Sequence, residues 1–178
     1  MSQWSTEPPA PRDFAAVRLH RVPCSGILQG ICTSEVVLGR RTHWDNWRTQ
    51  PCPGPECVLC RDGDPGRWHG WLSLFSQAAQ RQCVVQLTDL AAQAVNEAKL
   101  NFGKLRGLLL GFSRVAKRPN ARIIVDARNL PVPIEQLPIG IDIRKYMQLI
   151  WDGGAGLEPY NRVTAAYGEA TKREQPEP

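Results

Sequence analysis

The sequence predicts a fold between all-β and α+β: a five-stranded Greek-key barrel with a cysteine-rich insertion, one helix between strands and a C-terminal amphipathic helix. Three observations predict it. β-branched, alternating segments fill residues 14 to 44 and return after residue 66; one helical repeat, Leu87 to Ala98, separates them from a later strand pair; and four prolines, three glycines and three cysteines between Asp45 and Gly66 exclude a regular element there. A chain of 178 residues accommodates one core of ordinary size with flanking segments.

The elements follow in order. Residues 1–12, with prolines at 8, 9 and 11, read as a disordered leader, and the folded domain is expected over 13–130. Strands are expected at Phe14 to Val22, Gly26 to Thr33 and Glu35 to Trp44. Arg67 to Phe75 alternates, setting Trp68, Leu72 and Leu74 on a core face and Arg67, His69, Trp71, Ser73 and Phe75 on the other. Cys83 to Leu87 is a further strand. A helix follows, with Thr88 or Asp89 as N-cap and an end near Leu100, before Gly103. Leu105 to Val115 and Ala121 to Arg128 make a hairpin. A Pro-rich linker and an amphipathic helix occupy 131–154, the helix placing Ile143, Tyr146, Met147, Ile150 and Trp151 on one side, and 155–178 reads as a flexible tail. Strands, an insertion, strands, one helix and a final hairpin is the order of the oligonucleotide-binding fold.

Cys57-Val58-Leu59-Cys60 is a CxxC preceded by Cys52, so three thiolates converge over a short stretch. Structural zinc takes four Cys and His ligands in a tetrahedron, and His43, nine residues before Cys52, is the preferred fourth ligand. His69, nine residues after Cys60, competes for the place, so the knuckle spans 43–69. A closed Cys3His set has no open position and therefore implies a structural Zn2+ rather than one that activates water. Six cysteines without a secretion signal point to metal binding or burial rather than disulfides, and Cys24, Cys32 and Cys83 lie in apolar strand segments as core residues.

The ligand order His43, Cys52, Cys57, Cys60 within such a barrel resembles the zinc-containing, helix-destabilising single-stranded-DNA-binding proteins of tailed phages. The resemblance covers residues 14 to 128, with shorter ligand spacings than in the best-known member. It implies cooperative coating of single strands in replication or recombination, in the cytoplasm of a bacterial or phage-infected cell. The acidic C-terminal tail of such proteins is not matched by Lys172-Arg173-Glu174-Gln175-Pro176-Glu177-Pro178.

Charge supports a polyanionic partner. The net charge is +5, and from Lys99 to Val125 seven basic residues occur without one Asp or Glu. The expected nucleic-acid contacts are Arg67, Trp71 and Phe75 on the strand after the knuckle, and Lys104, Arg106, Phe112, Arg114, Lys117, Arg118 and Arg122 around the hairpin, combining phosphate contacts with rings for base stacking. Trp44 and Trp47 either extend this surface or pack against the knuckle; Trp68 reads as core. DNA is favoured over RNA, although stacking and phosphate contacts serve both. The C-terminal helix packs on the barrel or on a second subunit, and an assembly subunit docking onto a larger nucleoprotein machine is the other reading. No membrane association is expected, since no apolar run reaches 18 residues. Nor is catalysis: Gly103-Lys104-Leu105-Arg106-Gly107 is not a phosphate-cradling loop, and no HxE accompanies the CxxC.

Overall fold

The computed structural model describes residues 17–45 and 48–151. The leader, the tail and Trp47 lie outside the described residues. The elements run β1 (Arg18–Arg21), β2 (Leu28–Cys32), β3 (Leu38–Asp45), β4 (Arg48–Pro51), α1 (Val58–Arg61), β5 (Arg67–Ser76), β6 (Arg81–Thr88), α2 (Asp89–Phe102), β7 (Leu108–Arg114), β8 (Ile123–Asn129), a 3-10 turn (Ile134–Gln136) and α3 (Ile143–Trp151).

The fold is mostly β, on one mixed, open sheet ordered β1-β6-β5-β2-β7-β8, with β3 pairing β5 beyond β2 and β4 pairing β3. β2 and β3 run along the same edge of β5, Cys32 opposite Leu74 and Leu38 opposite Trp71, while β2 also pairs with β7. The connection between them is pinned where Ser73 Oγ meets Thr33 Oγ1 at 2.6 Å and Ser34 Oγ at 2.9 Å. The expectation of a closed barrel is corrected: among the described residues β6 and β8 do not pair. Arg18–Arg21 instead runs parallel to Cys83–Gln86 and occupies the outer edge of β6.

The helix between β6 and β7 forms as its sequence dictates. Thr88 Oγ1 accepts from the Ala91 amide, Gly103 closes the helix at φ +71°, and Ala91, Ala92, Val95 and Ala98 are buried. Small side chains on that stripe let α2 approach the sheet closely. The main core joins it to Leu72, Leu74, Val85, Leu87, Leu108, Leu110 and Phe112. The opposite face of the sheet is also covered: Ile143, Met147 and Ile150 of α3 pack on Trp71 and Val84. Cys32 is buried on β2 and Cys83 half-buried on β6, whereas Cys24, expected in a strand, is half-buried in the bend between β1 and β2. Among the described residues no helix is long and apolar enough to cross a membrane.

Candidate functional site

β3 and β4 form a short ribbon, Trp44 opposite Thr49 and His43 opposite Gln50, that projects past the rest of the sheet. Cys52 follows β4 directly, its amide bonded to the Arg41 carbonyl at 2.9 Å and its carbonyl receiving Arg40 Nη2 at 3.2 Å. Gly54, at φ +101°, turns the chain back, and Cys57 then begins α1, which carries Cys60. Three short segments thereby bring four donors together.

His43 Nε2 lies 3.2 Å from Cys57 Sγ and 3.4 Å from Cys60 Sγ, and Cys52 Sγ lies 3.7 Å from Cys60 Sγ. All four ligand atoms fall within 4.8 Å of one another, close enough to bind a metal ion. Tetrahedral ligands at zinc bond lengths of about 2.3 Å to sulfur and about 2.0 Å to nitrogen stand about 3.8 Å apart for S to S and about 3.5 Å for S to N. The set fits zinc. His69, the competing ligand, is elsewhere: its Nδ1 bonds Thr42 Oγ1 at 2.7 Å. It lies opposite Arg40 in the ladder, and Arg40 is on the strand face away from His43.

The thiols of the cluster differ. The Gly54 amide on Cys52 holds that thiol below the ordinary cysteine value, whereas burial and the neighbouring sulfurs push Cys60 up to about 11. With its thiol raised in this way, Cys60 would ionise on taking up a cation, so metal uptake would release its proton. Sequence reasoning missed Asp64. Its Oδ2 lies 3.2 Å from His43 Nδ1, and its Oδ1 accepts from the Gly66 amide at 3.2 Å; these bonds, His43 first, hold the carboxyl below its ordinary value. A proton on Nδ1 shared with Asp64 leaves the Nε2 lone pair facing the sulfurs, the outer-shell arrangement that orients histidine ligands. The signal for it is the Asp-Gly-Asp-Pro-Gly turn that follows Cys60 and Arg61. Gly66 sits at φ +65°, where a Cβ would stand 2.8 Å from His43 Cε1.

The expected nucleic-acid residues separate into groups. Lys117, Arg118 and Arg122 are exposed on the β7–β8 turn, and Arg67 is exposed at the start of β5. Arg114 anchors that turn: its Nε donates to the Val22 carbonyl at 3.0 Å and its Nη1 to the Ala121 carbonyl at 2.7 Å. Burial, and after it the charge of Arg21, lowers its pKa from the usual arginine value. Arg21 in turn donates to Thr49 Oγ1 at 2.9 Å and lies 4.7 Å from the Trp44 ring centroid. Arg21 and Val22, adjacent in sequence, therefore tie the β3–β4 ribbon to the basic turn.

Several expectations are corrected. Trp71 is 2% exposed, because α3 covers its face of β5, and Phe112 is 0% exposed inside the main core, so neither ring presents a stacking surface. Arg106 is consumed in structure, donating to the Thr33, Leu137 and Pro138 carbonyls at 2.8, 3.2 and 3.0 Å, and with Lys104 it lies beyond the other end of β7 from the basic turn. Phe75, half-buried opposite Ile31, belongs to that end also. Trp68, expected in the core, is 37% exposed, its ring lying over Gly39 and Gly70. Trp44 is 49% exposed. No family model matches the chain, and no curated protein or solved structure matches it.

Proposed function

We propose that the protein binds single-stranded nucleic acid, DNA in preference to RNA, with little sequence discrimination, and that its Cys3His set carries one structural zinc ion. The carrying observation is the basic turn. Lys117, Arg118 and Arg122 stand exposed in a stretch free of acidic residues, Arg114 fastens their turn to Val22, and the neighbouring Arg21 lies against the half-exposed ring of Trp44, which together offer the charge and ring mixture that a single strand requires. The strand connectivity supports the same reading. With β2 and β3 counted as one bent strand, the pairs β3 with β5, β5 with β6, β2 with β7 and β7 with β8, and a helix between β6 and β7, follow the Greek-key order of the oligonucleotide-binding fold, which is often only partly closed. In this reading the metal organises the loop and does no chemistry on a substrate. The role is strand coating in replication, recombination or a related process in the cytoplasm, similar to that of the phage helix-destabilising proteins.

Intrinsic tryptophan fluorescence during titration with oligothymidine and oligouridine, over a range of salt, tests the reading. Tight binding is expected, with a log affinity that falls linearly with log salt, and with oligothymidine favoured. Neutralising Lys117, Arg118 and Arg122 together should flatten the slope by about 0.7 for each phosphate that no longer meets a cation. Salt-insensitive or undetectable binding refutes the proposal and leaves the assembly-subunit reading.

A further inference from the structure

We infer, on the strength of the nucleic-acid reading above, that Trp44 is the stacking platform for one unpaired nucleobase and that the metal centre positions it. Trp44 follows the ligand His43 directly on β3 and points to the opposite face of the ribbon. Its ring is 49% exposed, a large apolar area left open. One side of the ring carries a fixed cation: the Arg21 guanidinium is 4.7 Å from the centroid, held by Thr49 Oγ1 at 2.9 Å and Gln86 Oε1 at 3.4 Å. Thr49 is the cross-strand partner of Trp44, so one ribbon fixes both the ring and the cation over it.

Preorganisation matters because a free indole loses rotamer freedom on stacking, whereas this ring is already confined. The ribbon's rigidity comes from the donor set: His43 lies on β3 and Cys52 immediately after β4, so one ion clamps both strands. The connection to phosphate runs through the main chain: Val22, next to Arg21, accepts from Arg114, whose other nitrogen holds the basic turn at Ala121. The other candidate rings are poorer platforms: Trp71 and Phe112 are interior, and Trp68 lies flat on the opposite face of the ribbon from Arg21.

The test uses the full chain and two probes of equal length at one salt concentration: oligothymidine and an abasic sugar-phosphate oligomer. Trp44→Ala is expected to weaken oligothymidine binding by about 5- to 150-fold, the range corresponding to one stacked base. Binding of the abasic oligomer should change by less than about twofold, with metal content unchanged. Trp44→Phe should recover most of the loss and Trp44→Leu, which lacks a π face, should not; this pair decides the matter if the alanine variant loses its fold. Unchanged oligothymidine affinity in Trp44→Ala, equal losses on both probes, or equal behaviour of the Phe and Leu variants overturns the inference and leaves the binding function standing. If the unaltered protein binds neither probe, the functional reading fails and the inference falls with it.

Discussion

Trp71→Ala should unfold the protein far more easily without removing a nucleic-acid contact. The ring is 2% exposed, meets Trp151 edge-on at a centroid distance of 5.6 Å, and packs among Val84, Ile143, Met147 and Ile150. Burying an indole of about 200 Å² at about 25 cal/mol/Å² contributes about 5 kcal/mol, close to the measured range of about 3–5 kcal/mol for such truncations. One offset applies: Trp71 Nε1 is buried without a hydrogen-bond partner, and removing an unsatisfied donor returns about 1–3 kcal/mol. The net loss should be about 3 kcal/mol, a fall in Tm of about 10 °C for a domain of this size. Trp71→Phe keeps most of the ring and deletes the donor, so it should lose less than about 1.5 kcal/mol. Equilibrium urea unfolding with metal saturating measures both. A loss below about 1 kcal/mol in Trp71→Ala, or a drop in intrinsic oligonucleotide affinity at undiminished stability, would show that α3 does not cover this face in solution.

The remaining predictions concern the metal centre and pH. Asp64→Ala should lower zinc affinity by about 10- to 100-fold in competition with a chromogenic chelator, because His43 loses the partner that orients it; unchanged affinity would reduce the contact to a surface ion pair. Chelation of the metal should release the β3–β4 ribbon while α2 and β5–β8 stay folded, seen as hydrogen exchange confined to residues 38–66; uniform exchange throughout the chain would make the metal part of the global fold. His20 is half-buried, and burial, then Arg18 and Arg81, lowers its pKa from 6.5. A lowered folded value means that the unfolded state binds the proton first, so stability should be complete above pH 6.5 and decline as the pH falls through the folded value. His20→Gln should flatten that decline in urea titrations; an identical pH profile would exclude His20 as its source.

The sequence made the elements legible where one physical cause dominated. Thr88 and Gly103 bound α2 because a hydroxyl cap and a left-handed stop act locally, and the Cys3His donors could be read because coordination demands few residue types at close spacing. What failed depended on partners distant in sequence. Alternation placed Trp71 opposite Leu72 and Leu74 correctly, and the stripe of Ile143, Met147 and Ile150 was equally visible; nothing local says that this stripe covers that face. β4 escaped notice because four residues ending in proline carry no period. The closed barrel failed similarly: the strand ending at Arg21 was foreseen, but its parallel pairing to β6, which occupies the edge closure would use, is a tertiary choice.

The position of the Cys3His donor set shows what a bound metal would do for this part of the fold. The insertion has almost no core of its own: α1 has no buried residue, Val58 is 56% exposed, and Cys52 and Cys57 are its buried side chains between residues 49 and 66. A two-stranded ribbon with one such loop is not stable in water by strand pairing alone. An ion held by His43 on β3, Cys52 past β4, and Cys57 and Cys60 around α1 would supply the missing cross-link, so the hydrophobic clusters around Leu72 and Trp71 would not need to extend into the ribbon. The ribbon can then leave Trp44 exposed and still keep it in place, which a purely apolar anchor would not permit, since burying the indole would be the stabilising move. In the nucleic-acid reading, metal loss should therefore remove the stacking part of the affinity and leave the phosphate part, carried by a turn that Arg114 fastens to Val22 and Ala121 independently of the ion.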